Sequence, residues 1–262
     1  MTEPSTIVDL REAHDHSLLA EVYNKLYLTH FPIPEEQETL EQYTQRLFGP
    51  YAPAPQPEVH LAVIGHDLHY PDRRVLQGFA LFELYRESRC GLLTYIAVPE
   101  EMRGKGIGKK LILFVKQTLT RRVRELSNEQ AELRGMFAEC HKPECVDRAA
   151  EPIDPDVRLK TMEAFGAALT PIDYVQPELQ EGGERSSRLL FVTFSTDSFV
   201  PPTHFSARVL IDFWTEFYGS LGVEGIDTDE DYVRMRSQAL AGGESDRFLR
   251  YPIRVVDITS SP

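Results

Sequence analysis

The 262-residue sequence predicts a mixed α/β architecture, strands and helices interleaved, with a helical extension at the C-terminal end. Three observations predict it. Apolar runs of strand character alternate along the chain with stretches whose apolar residues recur at helical spacing. One apolar strand, Leu92–Val98, leads through a glycine-rich turn into a long amphipathic helix. Beyond Phe199-Val200-Pro201-Pro202 the pattern changes to helix.

Taken in order, Thr6–Leu10 reads as a short strand. Leu18, Leu19, Val22, Leu26 and Leu28 form the apolar stripe of a first helix ending near Phe31-Pro32. A second helical stretch, Glu36–Phe48, stops at Gly49-Pro50. Four prolines between Pro50 and Pro57 require a loop or rigid linker. Strands follow at Val59–Ile64 and Val75–Tyr85, the second alternating Gly78, Ala80, Phe82 and Leu84 against Phe79, Leu81, Glu83 and Tyr85. Leu92–Val98 is apolar on both faces, as an interior strand of a covered sheet is.

The helix after the glycine turn carries Ile107, Leu111, Phe114, Val115, Leu119, Val123 and Leu126 on one face. Lys109, Lys110, Lys116, Arg121 and Arg124 fall off that stripe. Gly135–Cys140 reads as a strand. Asp154-Pro155 starts a helix, with a capping Asp and a Pro at the first helical position; Leu159, Met162 and Phe165 mark its buried face. Thr170–Val175 and Leu189–Ser195 read as two further strands around the polar loop Glu181–Ser187. The extension contains helices at Phe205–Leu221 and Thr228–Leu240, followed by a tail.

The chemistry-bearing segment is Arg103-Gly104-Lys105-Gly106-Ile107-Gly108. Glycine permits a tight turn and close approach of a ligand to backbone N–H groups. The helix start adds unpaired donors and the positive end of the helix dipole, so a phosphate is well placed there. The spacing is Gly-x-Gly-x-Gly, which is neither the dinucleotide fingerprint nor the ATP-binding loop. It does fit Arg-x-x-Gly-x-Gly, placed shortly after a strand ending Ile96-Ala97-Val98. In that setting the segment resembles the acetyl-CoA signature of the GNAT superfamily of acyl-CoA N-acyltransferases.

That resemblance implies the GNAT fold: a mixed, mostly antiparallel central sheet flanked by helices, spanning residues 1–198, with 199–262 as a C-terminal helical extension. It implies acetyl-CoA as acyl donor, with the backbone of Ile96, Ala97 and Val98 pairing with pantetheine. Arg103 opens the motif, and the amides of Gly104, Lys105, Gly106, Ile107, Gly108 and Lys109 surround the pyrophosphate. No metal is implied.

Acyl transfer to an amine needs a base, an oxyanion donor and an acid for the leaving thiolate. The Val98 amide is the expected oxyanion donor. Glu139 and Glu83 each interrupt an apolar strand and are the candidate bases, and desolvation of Glu139 would raise its pKa toward a useful range. For Glu139 a structural salt bridge or an exposed strand end is the competing reading. Many family members carry Tyr-Glu-x-x-Gly, whose tyrosine protonates the thiolate. Here the matching segment is Met162-Glu163-Ala164-Phe165-Gly166, and methionine cannot donate a proton. Tyr174 and Tyr95 are the alternatives, with water a third, and an ordinary strand aromatic is the competing reading for Tyr174.

The charge balance is acidic, 28 Lys+Arg against 41 Asp+Glu for a net −13, which disfavours nucleic acid as partner. An acidic field suits a cationic acceptor and equally suits solubility. Three cysteines, Cys90, Cys140 and Cys145, fit a reducing cytoplasm rather than a disulfide framework. Cys140-His141 and Cys145, without a second Cys/His pair, make a poor zinc site. No stretch is apolar and long enough to span a membrane, and Met1–Asp9 lacks the features of a signal peptide. Two functions compete: N-acetylation of an amine, small molecule or peptide, and a non-catalytic acyl-CoA-binding or sensor role. The C-terminal helices have three readings: a packing cap, a homodimer contact and a substrate lid.

Overall fold

A computed structural model describes residues 5–32, 37–148, 151–179, 182–202, 204–241 and 248–250. The chain divides into two compact units, residues 1–133 and 134–262.

The first unit opens with β1 (Thr6–Asp9), α1 (Leu10–Ala13) and α2 (His16–Val22). A single π turn, Tyr23–Tyr27, and α3 (Leu28–His30) continue the first helix. The second helix, α4 (Leu40–Phe48), is shorter than expected. Its Thr39 side chain accepts from the Gln42 amide while the Gln42 side chain accepts from Thr39, a reciprocal cap that fixes the start. Its expected beginning at Glu36 lies outside the described residues.

Four antiparallel strands follow in the spatial order β1-β2-β3-β4, with β2 at Glu58–His66, β3 at Val75–Tyr85 and β4 at Cys90–Ala97. Phe79 and Leu81 of β3 join Leu18, Leu19, Val22, Leu47, Leu61 and Val63 in the core beneath the first helices. On the opposite face of β3, Gly78 sits where β4 and α5 (Ile107–Leu126) both come close: a Cβ on it would stand 2.8 Å from the Ala97 carbonyl oxygen and 3.4 Å from both Ile107 and Leu111. On β4, Gly91 leaves room for Leu119, whose methyl would be 2.3 Å from a Cβ there.

The α5 stripe differs in detail from the expected one. Ile112 is buried, Phe114 is only half-buried and Leu126 is exposed. Lys116, expected on the solvent side, is buried at 4% exposure.

In the second unit β5 (Gly135–His141) pairs antiparallel with β7 (Leu189–Phe194), which also pairs with β6 (Ala167–Leu169). The helix α6 (Pro155–Ala164) starts as expected, with Asp154 accepting from the amides of Asp156 and Val157 at 3.0 and 3.2 Å. Leu159, Met162 and Phe165 are half-buried rather than buried. Two residues beyond the helix, Gly166 has a φ of +87° that favours glycine, and a Cβ there would stand 3.0 Å from the Phe199 backbone.

The expected strand at Thr170–Val175 is not formed. Strand structure stops at Leu169, and the segment runs on irregularly between Pro171 and Pro177, neither of which has an N–H for a ladder. A bridge between Gln176 and Ser186 closes the polar loop above it; part of that loop, residues 180–181, lies outside the described residues.

The extension consists of β8 (His204–Ser206), α7 (Ala207–Ser220), α8 (Glu230–Leu240) and β9 (Phe248–Arg250), with β8 paired to β9. The apolar face of α7 is covered within its own unit: the Phe213 ring lies 4.6 Å from Phe137, tilted against it, and Trp214 lies 5.6 Å from Phe191. Beyond Arg250 the expected tail lies outside the described residues.

Candidate active site

The segment expected to hold the acyl donor is built on β4 and the turn that follows it. The register of β4 against β3 pairs Leu81 with Tyr95 but Phe82 with Leu93, so Thr94 is an extra residue and forms a β-bulge. The bulge breaks the strict alternation expected from the sequence. Thr94, Tyr95 and Ile96 are each half-buried in a strand otherwise buried throughout, so the strand's burial loosens at Ile96. Val98 lies one residue past the end of β4, not within it as expected. Its carbonyl accepts from Arg103 Nε at 3.2 Å, so the first residue of the motif ties the turn back to the strand end.

Between them a short 3₁₀ turn, Glu100–Met102, reverses the chain. Gly104 and Gly106 then adopt φ of +74° and +77°. A Cβ on either would meet no protein atom within 4 Å. Packing therefore does not require glycine here. The left-handed backbone does, and the open space over the turn is what an approaching ligand needs. Gly106 is the N-cap of α5 and has no side chain to satisfy the first amides of the helix. The first turn has no acidic residue, and Lys109 and Lys110 follow at once. This donor set, with its dipole and lysines, is suited to a pyrophosphate.

The expected catalytic carboxylate and phenol meet each other directly. The Tyr174 hydroxyl donates to Glu139 Oε1, and Gln176 Nε2 donates to Glu139 Oε2 at 2.8 Å. Glu139 is half-buried on β5; Tyr174 is buried at 1% exposure with its ring 4.8 Å from Phe191. Gln176 had no signal in the sequence beyond its place two residues after Tyr174. The alternating pattern of the segment is compatible with a strand, and a strand would put these two side chains on one face.

The other candidates are committed elsewhere. Glu83 is buried and ion-paired with Arg46, and it accepts from the Tyr85 hydroxyl at 2.8 Å. Burial would lower the Arg46 pKa, but Glu83 and Glu38 beside it hold it raised. Glu83 is thus the anchor of α4 on β3. The Tyr95 ring packs against Phe31 at 4.5 Å and Tyr27 at 5.2 Å. Burial pushes the Cys140 thiol up to about 11, which leaves it protonated near neutrality.

A buried charge network has no counterpart among the sequence-based expectations. His60 Nδ1 lies 2.7 Å from Asp9 and its Nε2 2.8 Å from Glu58, while its ring stacks on Phe82 at 5.1 Å. Arg122 of α5 reaches the same Glu58 through Nε and Nη2 at 2.6 and 3.0 Å. Burial alone would raise the Glu58 carboxyl, but hydrogen bonds from His60 and Arg122 hold it down at about 2. Burial would lower His60; its two carboxylate partners outweigh this and raise it.

Residues 20–141 match the model of the acetyltransferase (GNAT) family. This stretch of the chain is a GNAT acetyltransferase domain. Among solved structures, the chain is similar to the IAA acetyltransferase of Bacillus cereus: 17% identity over 73% of this chain and 99% of that one, TM-score 0.41. It is also similar to a Bacillus subtilis acetyltransferase in complex with CoA: 15% identity, 67% and 91% covered, TM-score 0.40. A third is the ribosomal-protein-S18-alanine N-acetyltransferase of Escherichia coli: 14% identity, 73% and 93% covered, TM-score 0.41. A comparison with curated proteins found no match. Among the described residues no helix is long and apolar enough to cross a membrane.

Proposed function

We propose that the protein is an acetyl-CoA-dependent N-acetyltransferase that moves the acetyl group directly from the thioester to an amine acceptor. The observation that carries the proposal is the glycine turn at the head of α5, with two left-handed glycines and open space before them, inside a domain of the matching family. In this reading Arg103 and the amides of Gly104, Lys105, Gly106, Ile107, Gly108 and Lys109 hold the pyrophosphate. The backbone of Ile96, Ala97 and Val98 pairs with the amides of pantetheine as an added strand would.

Acetyl-CoA supplies an activated acyl carbon and a thiolate leaving group; the chain supplies donors and a proton path. The Val98 N–H stabilises the charge developing on the carbonyl oxygen. Glu139 accepts a proton from the acceptor ammonium, directly or through water. The C–N bond forms and the C–S bond breaks, and Tyr174 gives its proton to the sulfur. The hydrogen bond between Tyr174 and Glu139 then lets the carboxyl return a proton to the phenol. A second proton leaves the nitrogen for solvent as the amide forms, so the balance is one proton released per acetyl group transferred. Met162, half-buried on α6, takes no part in proton transfer.

The test is Gly106→Trp. No protein atom lies within 4 Å of a Cβ at this position, so the new side chain starts into open space, and the left-handed backbone costs roughly 1–2 kcal/mol. Acetyl-CoA binding, measured by calorimetry, is expected to be lost in a protein that still melts cooperatively. Undiminished affinity in the folded variant overturns the cofactor assignment. Binding by the unmodified protein without thiol release, across a panel of amines, makes it an acyl-CoA sensor instead.

A further inference from the structure

The segment that carries Tyr174 belongs to no strand, yet nearly all of its backbone is held, and mostly by side chains of the C-terminal helices. Gln238 of α8 accepts from the Asp173 amide through Oε1 at 2.9 Å and donates to the Asp173 carboxylate through Nε2 at 2.9 Å. Arg234 donates to the Asp173 carbonyl at 3.4 Å. The Val175 amide points at Met235 Sδ at 3.4 Å, and the Val175 carbonyl accepts from the Tyr218 hydroxyl of α7 at 2.5 Å. The Gln176 amide and carbonyl pair with Ser186 at 2.8 and 3.0 Å. The loop bearing Ser186 is in turn pinned to α8, where Arg185 pairs with Asp229 and with Asp231 at 3.0 Å.

These contacts bracket the two side chains that hold Glu139. Tyr174 is one residue from Asp173 and from Val175, and Gln176 follows immediately. We propose that α7 and α8 form a positioning clamp: Gln238, Tyr218 and Met235 fix the backbone of Asp173–Gln176 so that Tyr174 and Gln176 keep the Glu139 carboxylate in one orientation. The proposal rests on the assignment of Glu139 and Tyr174 to proton transfer. The physical reason for a clamp is the absence of a ladder. An irregular segment between two prolines has no strand neighbour to set the direction of its side chains. The side chains of α7 and α8 set it instead. A buried phenol whose backbone is loose would sample several positions, and proton transfer falls steeply with small misplacement.

The experiment uses the full chain and the exchangeable contact at Asp173. Gln238→Glu keeps the acceptor for the Asp173 amide but sets a carboxylate against the Asp173 carboxylate. Adding Asp173→Asn turns that repulsion back into a hydrogen bond. Gln238→Glu and Tyr218→Phe are each expected to lower kcat roughly ten- to hundredfold, with KM for acetyl-CoA essentially unchanged. Hydrogen exchange at residues 172–176 should speed up in both variants. The double variant Asp173→Asn/Gln238→Glu should recover kcat and protection together. In a Tyr174→Phe background, each substitution should lower kcat by a clearly smaller factor, the remainder acting through Gln176 alone.

Unchanged exchange in Gln238→Glu and Tyr218→Phe overturns the clamp. So does a kcat loss that persists in full in the Tyr174→Phe background. If Tyr174→Phe and Glu139→Gln themselves leave kcat unchanged, the proton-transfer assignment fails, and the positioning role fails with it. If those two variants are slow and Gln238→Glu is normal, the clamp alone is refuted.

Discussion

Residue-scale chemistry sets three glutamates of this chain among different partners. Glu83 and Glu58 are buried against arginines and spend their charge on holding helices to strands. Glu139 accepts from a phenol and an amide, both neutral donors. Glu139→Gln preserves shape and removes the proton acceptor, so kcat at neutral pH should fall about 10²–10⁴-fold with acetyl-CoA affinity retained. Partial recovery toward high pH is expected as the acceptor amine deprotonates on its own. Stopped-time thiol-release assays across pH check both, and normal turnover throughout would make Glu139 structural. The His60 network makes a separate prediction. Glu58, held down at about 2, contributes stability above the ordinary carboxylate range and loses it as pH falls toward that value. His60, raised, contributes fully below the ordinary histidine value and loses its contribution as pH climbs through the raised one. The network is therefore strongest at roughly pH 4.5–6.5. Thermal melts of His60→Gln should lose the alkaline-side decline, and His60→Ala, which leaves two buried carboxylates facing each other, should cost about 3–5 kcal/mol.

Among the elements, those legible in the sequence were the ones whose cause is local. The limits of β3 follow from its own alternation, and α6 begins at Asp154 because the cap and the proline are adjacent. The glycine turn was legible for the same reason: left-handed backbone at Gly104 and Gly106 needs a residue type visible in the string. The bulge at Thr94 was not legible, because it is a property of the register against β3. Nor was the irregular segment after β6, where Ile172 and Tyr174 alternate with polar residues as a strand would. What holds it are Tyr218, Met235 and Gln238, 43 to 65 residues further along the chain, and no local pattern reports such partners. The Asp9–His60–Glu58–Arg122 set was hidden likewise, since its members lie on three elements. The two kinds of glycine give a prediction. Gly166→Ala places a Cβ 3.0 Å from the Phe199 backbone, whereas Gly104→Ala meets open space. Both pay the left-handed cost of roughly 1–2 kcal/mol, so denaturant unfolding should show Gly166→Ala to be the more destabilised, while Gly104→Ala loses more acetyl-CoA affinity. Equal stability of the two would mean that the Phe199 backbone yields readily.

For the whole molecule the deciding quantity is charge. With 28 basic and 41 acidic residues, the chain carries −13, and the lysines and arginine of the glycine turn are a local exception to that excess. A negative field repels polyanions and concentrates cations near the surface, and its reach depends on salt: about 30 Å at 0.01 M and about 8 Å at 0.15 M. An amine acceptor is a cation before it reacts, and a diamine or polyamine remains one at nitrogens remote from the acyl carbon. If the field recruits the acceptor, kcat/KM for a diamine should fall about tenfold between those two salt concentrations. An amine with a neutral tail should change much less, and KM for acetyl-CoA, a polyanion, should not rise in parallel. Thiol release measured with a matched pair of such amines separates the possibilities. A diamine insensitive to salt would assign the acidic surface to solubility and direct the search for the acceptor toward neutral-tailed amines.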